Sequence, residues 1–126
     1  MNKTIKKKWV KALRSGEYKQ GRNWLRKGDR FCCLGILCDL YHKDKPGSIG
    51  WKMKPSGNAY EFASIETGPE MVVLPTAVYE WAGLSSNNPS VHRDQLAAHN
   101  DGRTTTTPQL KQHSFNEIAD LIENNL

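Results

Sequence analysis

The stretch YKQGRNWLRKGDRFCCLGILCDLYH, Tyr18 to His42, constrains the fold more than any other part of the chain. It holds all three cysteines, one of the four tryptophans and the densest apolar run, Phe31 to Leu40. Phe31 to Tyr41 contains no proline and is too continuously apolar for a half-exposed strand; its length favours a buried helix. Gly35 within it costs about 1 kcal/mol relative to alanine, so a glycine there implies close approach of another backbone. Asp39, the one charge in the run, is expected at the exposed edge. Upstream, RNWLRK between Gly21 and Gly28 reads as a short basic strand, followed by a tight turn at Gly28-Asp29. The remainder of the chain is expected to supply faces that cover the buried helix.

Those faces are legible in part. Ile5, Trp9, Val10 and Leu13 recur at helical spacing, predicting a first helix from Ile5 to about Arg14, capped by Thr4 and ended by Ser15-Gly16. Trp51 and Met53 alternate with lysines, and Ala59 to Ile65 (AYEFASI) alternates again, as does a half-buried strand. Met71 to Leu74 reads as a strand or an extended lead-in. Pro75 opens a helix whose apolar residues are Ala77, Val78, Trp81 and Ala82; Gly83 ends it and Leu84 folds back over that end. Asp94 to His99 is a short helix or strand. Ser114 and Glu117 form an S-x-x-E capping box for a last helix with Phe115, Ile118, Ala119 and Ile122 on one face. The fold class expected is α+β, about four helices on a small antiparallel sheet. Residues 1–126 are expected to form one domain, with a threonine-rich insertion at about 103–112 expected to be flexible.

Length and composition agree. A chain of 126 residues suits one core, and an apolar share of 37% with a mean hydropathy of -0.68 suits much polar loop. No run approaches the roughly 18 apolar residues of a membrane span. No apolar signal core follows the basic N-terminus, so secretion is not expected and the thiols are expected to be reduced. The net charge of +5 is uneven. Residues 1–30 carry eleven lysines and arginines against Glu17 and Asp29. That excess suits an anionic partner, while a merely solvated basic face explains it equally well.

KQGRNWLRKGDRFCCLGILCDLY, LPTAVYEWAGL, LAAHNDGR and HSFNEIADLIENNL occur in that order. Together they resemble a family of small proteins of unknown function encoded by bacteriophages and prophages. The threonine-rich insertion departs from that pattern. The resemblance implies a phage accessory protein at work in the host cytoplasm against host machinery or host defence. It implies no chemistry and no functional residues.

The residues themselves nominate two chemistries. In the leading one, Arg22, Asn23, Trp24, Arg26, Lys27 and Arg30 interleave positive charge with an aromatic. This suits phosphates and a stacked base, with Asn100, Asp101 and Arg103 reading ribose or base edges. The ligand is then a nucleotide or nucleic acid, or else the basic surface masks an acidic host protein. Trp51, Tyr60, Tyr79 and Trp81 are candidate anchors for the latter, or core residues. In the alternative, the chain is a small cysteine-dependent hydrolase. Cys33, or Cys32 beside it, is activated at a helix N-terminus, with His99 or His113 as base and Asn100 or Asp101 as orienter. Simple packing of the thiols is the competing explanation. Cys38 and His42 lie four residues apart and Cys33 adds a third donor, but no fourth is evident, so neither a metal site nor a cofactor is expected. No membrane partner is expected, and self-association stays open.

Overall fold

The amphipathic periodicity of the N-terminus produces helix α1 (Lys3–Arg14), which buries Ile5, Trp9, Val10 and Leu13. Its cap is Asn2 rather than Thr4. Asn2 Oδ1 accepts the Ile5 N–H at 3.0 Å, and the Asn2 N–H donates to the Ala82 carbonyl at 2.9 Å. Asparagine is among the best N-cap residues, and its added tie to Ala82 moves the start of the helix two residues earlier than expected. The computed structural model describes residues 1–47, 50–55, 57–63, 68–102 and 110–126.

The expected central helix is α2 (Cys33–Asp44), with every residue from Cys33 to Cys38 buried. The apolar run starts at Phe31, in strand β3 (Arg30–Phe31), and the helix proper starts two residues later. Strand β3 is the middle of a three-stranded sheet, parallel to β1 (Lys19–Gln20) and antiparallel to β2 (Arg26–Lys27). The strand expected over RNWLRK is thus confined to Arg26–Lys27. The reason is local: Asn23 takes a left-handed conformation, φ 71°, and its N–H leaves the ladder to meet the Asp101 carboxylate at 3.0 Å. Gly28, φ 60°, makes the expected turn between β2 and β3, at a backbone angle that side chains resist.

Gly35 shows why α2 carries a glycine. The Leu25 carbonyl lies against it, so that a Cβ built there would stand 1.8 Å from the Leu25 oxygen. That carbonyl also accepts the Cys32 N–H at 3.2 Å. The segment before β2 therefore rests directly on the first turn of α2. Trp9 closes the other side, fully buried, with its indole N–H donating to the Cys33 carbonyl at 3.0 Å.

Strands β4 (Gly50–Met53) and β5 (Tyr60–Ala63) pair antiparallel, with Phe62 fully buried. Residues 64 and 65 of the expected second strand lie outside the described residues. Met71 to Leu74 is a bend rather than a strand, and its Met71 carbonyl accepts the Leu25 N–H at 2.8 Å. Helix α3 (Thr76–Trp81) follows Pro75, and Leu84 turns back to bond the Tyr79 carbonyl at 2.9 Å. A third pair, β6 (Ser90–Val91) with β7 (Asp94–Gln95), leads into α4 (Leu96–Asp101). Helix α5 (Phe115–Asn125) has the complete Ser114–Glu117 capping box and packs along α1. The chain is an α+β domain, with five helices and three small sheets among the described residues.

Asp39 is not at an exposed edge. Its carboxylate accepts the Tyr18 hydroxyl at 2.5 Å and the Trp51 indole N–H at 3.1 Å, with the Lys43 ammonium 3.3 Å away. Burial alone would raise its pKa, but those bonds and Lys43 outweigh it and hold the carboxyl below its usual value. One charge thereby ties the approach to β1, helix α2 and strand β4 together.

Candidate functional site

Asn100 organises the region where the sequence places its candidates. It is fully buried at the end of α4. Its Oδ1 accepts the Cys33 N–H and the Gln20 amide, each at 3.1 Å. Its Nδ2 donates to the Gly21 carbonyl at 2.9 Å and to Asp101 Oδ1 at 3.0 Å. All four bonds that an amide side chain can make are spent inside the fold, so Asn100 caps α2 and fixes β1 instead of reading a ligand. Asp101 is also engaged, through one carboxylate oxygen and its carbonyl. Its carboxylate holds the Asn23 N–H, and its carbonyl accepts both Nε, at 2.9 Å, and Nη2 of Arg22. The basic stretch and the Asn-Asp pair do meet, but they meet as a structural clasp. Arg103 lies outside the described residues.

The first turn of α2 is satisfied from two sides. Cys32 is its N-cap, its sulfur accepting the Gly35 N–H at 3.4 Å, and Asn100 takes the Cys33 N–H. The positive end of the helix dipole therefore has partners already, and no thiol sits there exposed. Cys32, Cys33 and Cys38 are all free and buried. Burial pushes the Cys32 thiol up to about 12, and pushes Cys33 and Cys38 well above the ordinary thiol value. The Cys33 sulfur has a carbonyl for its neighbour, Leu96 O at 3.7 Å. His99 has its Nε2 2.8 Å from the Val91 carbonyl, so that nitrogen carries the proton and donates it. His113 stands edge-on to His99, ring centres 5.0 Å apart, with both Nδ1 atoms buried and without hydrogen-bond partners among the described residues. Cys33 with His99 or His113 thus lacks what the hydrolase alternative requires, an accessible low-pKa thiol. In the native protein all three cysteines should resist an alkylating reagent such as iodoacetamide and react only on unfolding. A single thiol modified at the rate of free cysteine, read by mass spectrometry, would contradict this burial. Among the described residues no group of three or more histidine, cysteine or acidic side chains could hold a metal.

The remaining candidates separate. Arg26 turns onto the aromatic cluster, its guanidinium 4.1 Å from the Tyr60 ring centre and 5.0 Å from that of Phe31, with Nε bonding the Gly28 carbonyl at 2.9 Å. It is a packing residue, held by cation–π attraction. Arg30 is exposed and donates to the Gln20 carbonyl at 3.1 Å. Trp51 packs edge-on against Phe62 and Tyr60, and Trp81 donates to Asp44 at 3.1 Å. Those aromatics are half-buried parts of the fold.

Trp24 and Lys27, by contrast, share a concavity of about 300 Å³. Its other walls are Lys54, Gly57, Asn58, Ala59 and Met71. Backbone bonds brace it: Gly28 N–H to the Asn58 carbonyl at 2.8 Å, Lys54 N–H to the Ala59 carbonyl at 3.0 Å, and a bridge between Lys27 and Ala59. The β2 segment and the β4–β5 pair therefore form its two sides. Lys54 is 3.4 Å from the Glu61 carboxylate, and no ion pair engages Lys27 among the described residues. Sequence reasoning missed Lys54, Asn58 and Met71. The segment KPSGN, residues 54–58, has the composition of a turn, and that composition gives no sign of its meeting with Trp24, which is made through β-pairing distant in sequence.

Fold and site together define an α+β domain with sealed thiols and a small cationic concavity edged by one indole. The chain belongs to a family described as a domain of unknown function, DUF8296, whose family model matches residues 1–126. Neither the curated proteins nor the solved structures contain a match to it.

Proposed function

We propose that this is a non-enzymatic phage accessory protein that binds a nucleotide-like anion in the Trp24 concavity and so counters a host process, acting in the host cytoplasm. The observation that carries the reading is the placement of one half-buried indole beside two lysines in a braced pocket. An indole face stacks on any base, and ammonium groups neutralise phosphate. About 300 Å³ is at the lower end of small-molecule sites, which suits a mononucleotide better than a polymer. The phage setting rests on the resemblance of the motifs, and sequestration of a nucleotide defence signal is one form that the activity takes.

The test is calorimetric titration with ATP as the probe at low salt. Trp24→Ala should weaken binding about tenfold or more, since stacking is worth about 1–3 kcal/mol per base. Lys27→Glu should weaken it similarly and flatten the salt dependence. Cys33→Ser should leave it intact. Equal affinity in the wild type and in Trp24→Ala would refute the site, and hydrolysis of the probe abolished by Cys33→Ser would refute the non-enzymatic reading.

A further inference from the structure

A second concavity, of about 800 Å³, runs along α1 where it meets α5. Its walls are mostly carbon: Val10 on the floor and the stems of Lys3, Lys6, Lys7 and Lys11 around it. Long lysine stems cover apolar surface while their ammonium groups reach for water. At one end Arg14 is locked between Asp120 at 2.5 Å and Glu123 at 2.7 Å, which neutralises it and makes it a fixed wall. None of the four lysines has an ion-pair partner among the described residues. A basic helix face that is only solvated is convex. This one is hollow, with Val10 beneath four unpaired lysines of α1 and the Arg14–Glu123 pair at one end.

We propose that this groove docks an acidic amphipathic helix of a partner protein. The inference is independent of the nucleotide reading, since the two concavities share no residue. Charge complementarity selects the occupant. Lys3, Lys7 and Lys11 recur every fourth residue, so their stems leave α1 about 6 Å apart along its axis. Carboxylates at i, i+4 and i+8 of a second helix have the same interval and face them in register. Apolar side chains between those carboxylates then seat on Val10. This is the helix-in-groove mode, with apolar anchors for affinity and a charged rim for partner choice. A single-stranded nucleic acid would satisfy the lysines but find, among the described residues of the groove lining, no aromatic ring on which to stack a base.

The test is fluorescence anisotropy with a labelled helical peptide of about 18 residues, long enough to span the groove, with glutamate every fourth position and leucines on the same face. The peptide should bind, and Lys7→Glu with Lys11→Glu should weaken it at least about tenfold. Exchanging its leucines for serines at unchanged charge should weaken it as much. Lys27→Glu, in the other concavity, should not alter it. Both substituted lysines are exposed, and Lys7→Ala with Lys11→Ala should give the same direction of effect if the glutamates perturb folding. Failure of the peptide to bind, or equal binding by its serine version or by inorganic polyphosphate, would overturn the proposal. Absence of ATP binding by the wild-type protein, with peptide binding intact, would sink the nucleotide reading alone.

Discussion

Gly35→Ala is expected to destabilise the protein by at least about 3 kcal/mol, at the upper end of what an overpacked core position costs. The cause is backbone against backbone. The new methyl would stand 1.8 Å from the Leu25 oxygen and 2.7 Å from the Leu25 carbonyl carbon. No side chain can rotate away to make room. Either α2 withdraws from the Leu25 segment, breaking the Cys32 N–H bond to that carbonyl, or the segment lifts and loses the fully buried Leu25 side chain from the core. Alanine is the better helix former by about 1 kcal/mol, so helix propensity alone predicts the opposite sign. Urea denaturation followed by circular dichroism separates the two effects: a midpoint at or above that of the wild type would show that the close approach does not exist.

Asn100→Ala is expected to cost about 3–5 kcal/mol, through buried groups left without partners. The Cys33 N–H loses its acceptor inside the core, and the half-buried Gly21 carbonyl loses its donor. Gln20 loses one of two bonds, keeping the His113 carbonyl at 2.8 Å. Asn100→Asp separates the contributions. The shape and the acceptor for Cys33 are kept, but the donor to Gly21 is gone and a second carboxylate faces Asp101. The aspartate variant should therefore also be destabilised at neutral pH, in the same urea experiment. A loss below about 1 kcal/mol for the alanine variant would return Asn100 to the candidates for ligand recognition.

These two residues mark how far the sequence is legible. Gly35 could be read, because a glycine amid a strong helical run has few explanations other than a neighbour's approach. The neighbour could not be read, since Leu25 reaches it through a tertiary turn. The Ser114–Glu117 box, the buried α2 and the fold-back of Leu84 could also be read, because each depends on residues a few positions apart. Asn100 could not. An asparagine beside aspartate and glycine has the composition of an exposed turn, and only the packing of α4 on α2 makes it a core residue. Asp39 misled for the same reason: a lone charge on an apolar helix suggests an edge unless its distant partners, Tyr18 and Trp51, are known. The candidate site followed this rule too. Trp24 and Lys27 lie close in the chain and share the pocket, whereas Lys54, Asn58 and Met71 arrive through long-range pairing.

The central claim, that cationic surface captures an anion while the thiols fill the interior, is tested most directly by a residue-resolved titration. Amide and indole resonances of the labelled protein are followed by nuclear magnetic resonance as ATP is added at low salt. The account predicts saturable shifts confined to the Trp24 indole and to the amides of Lys27, Lys54, Asn58 and Ala59, with the amides of Cys32 and Cys33 unmoved. Shifts centred on Cys33, His99 and His113, or no saturable shift around Trp24, would contradict it.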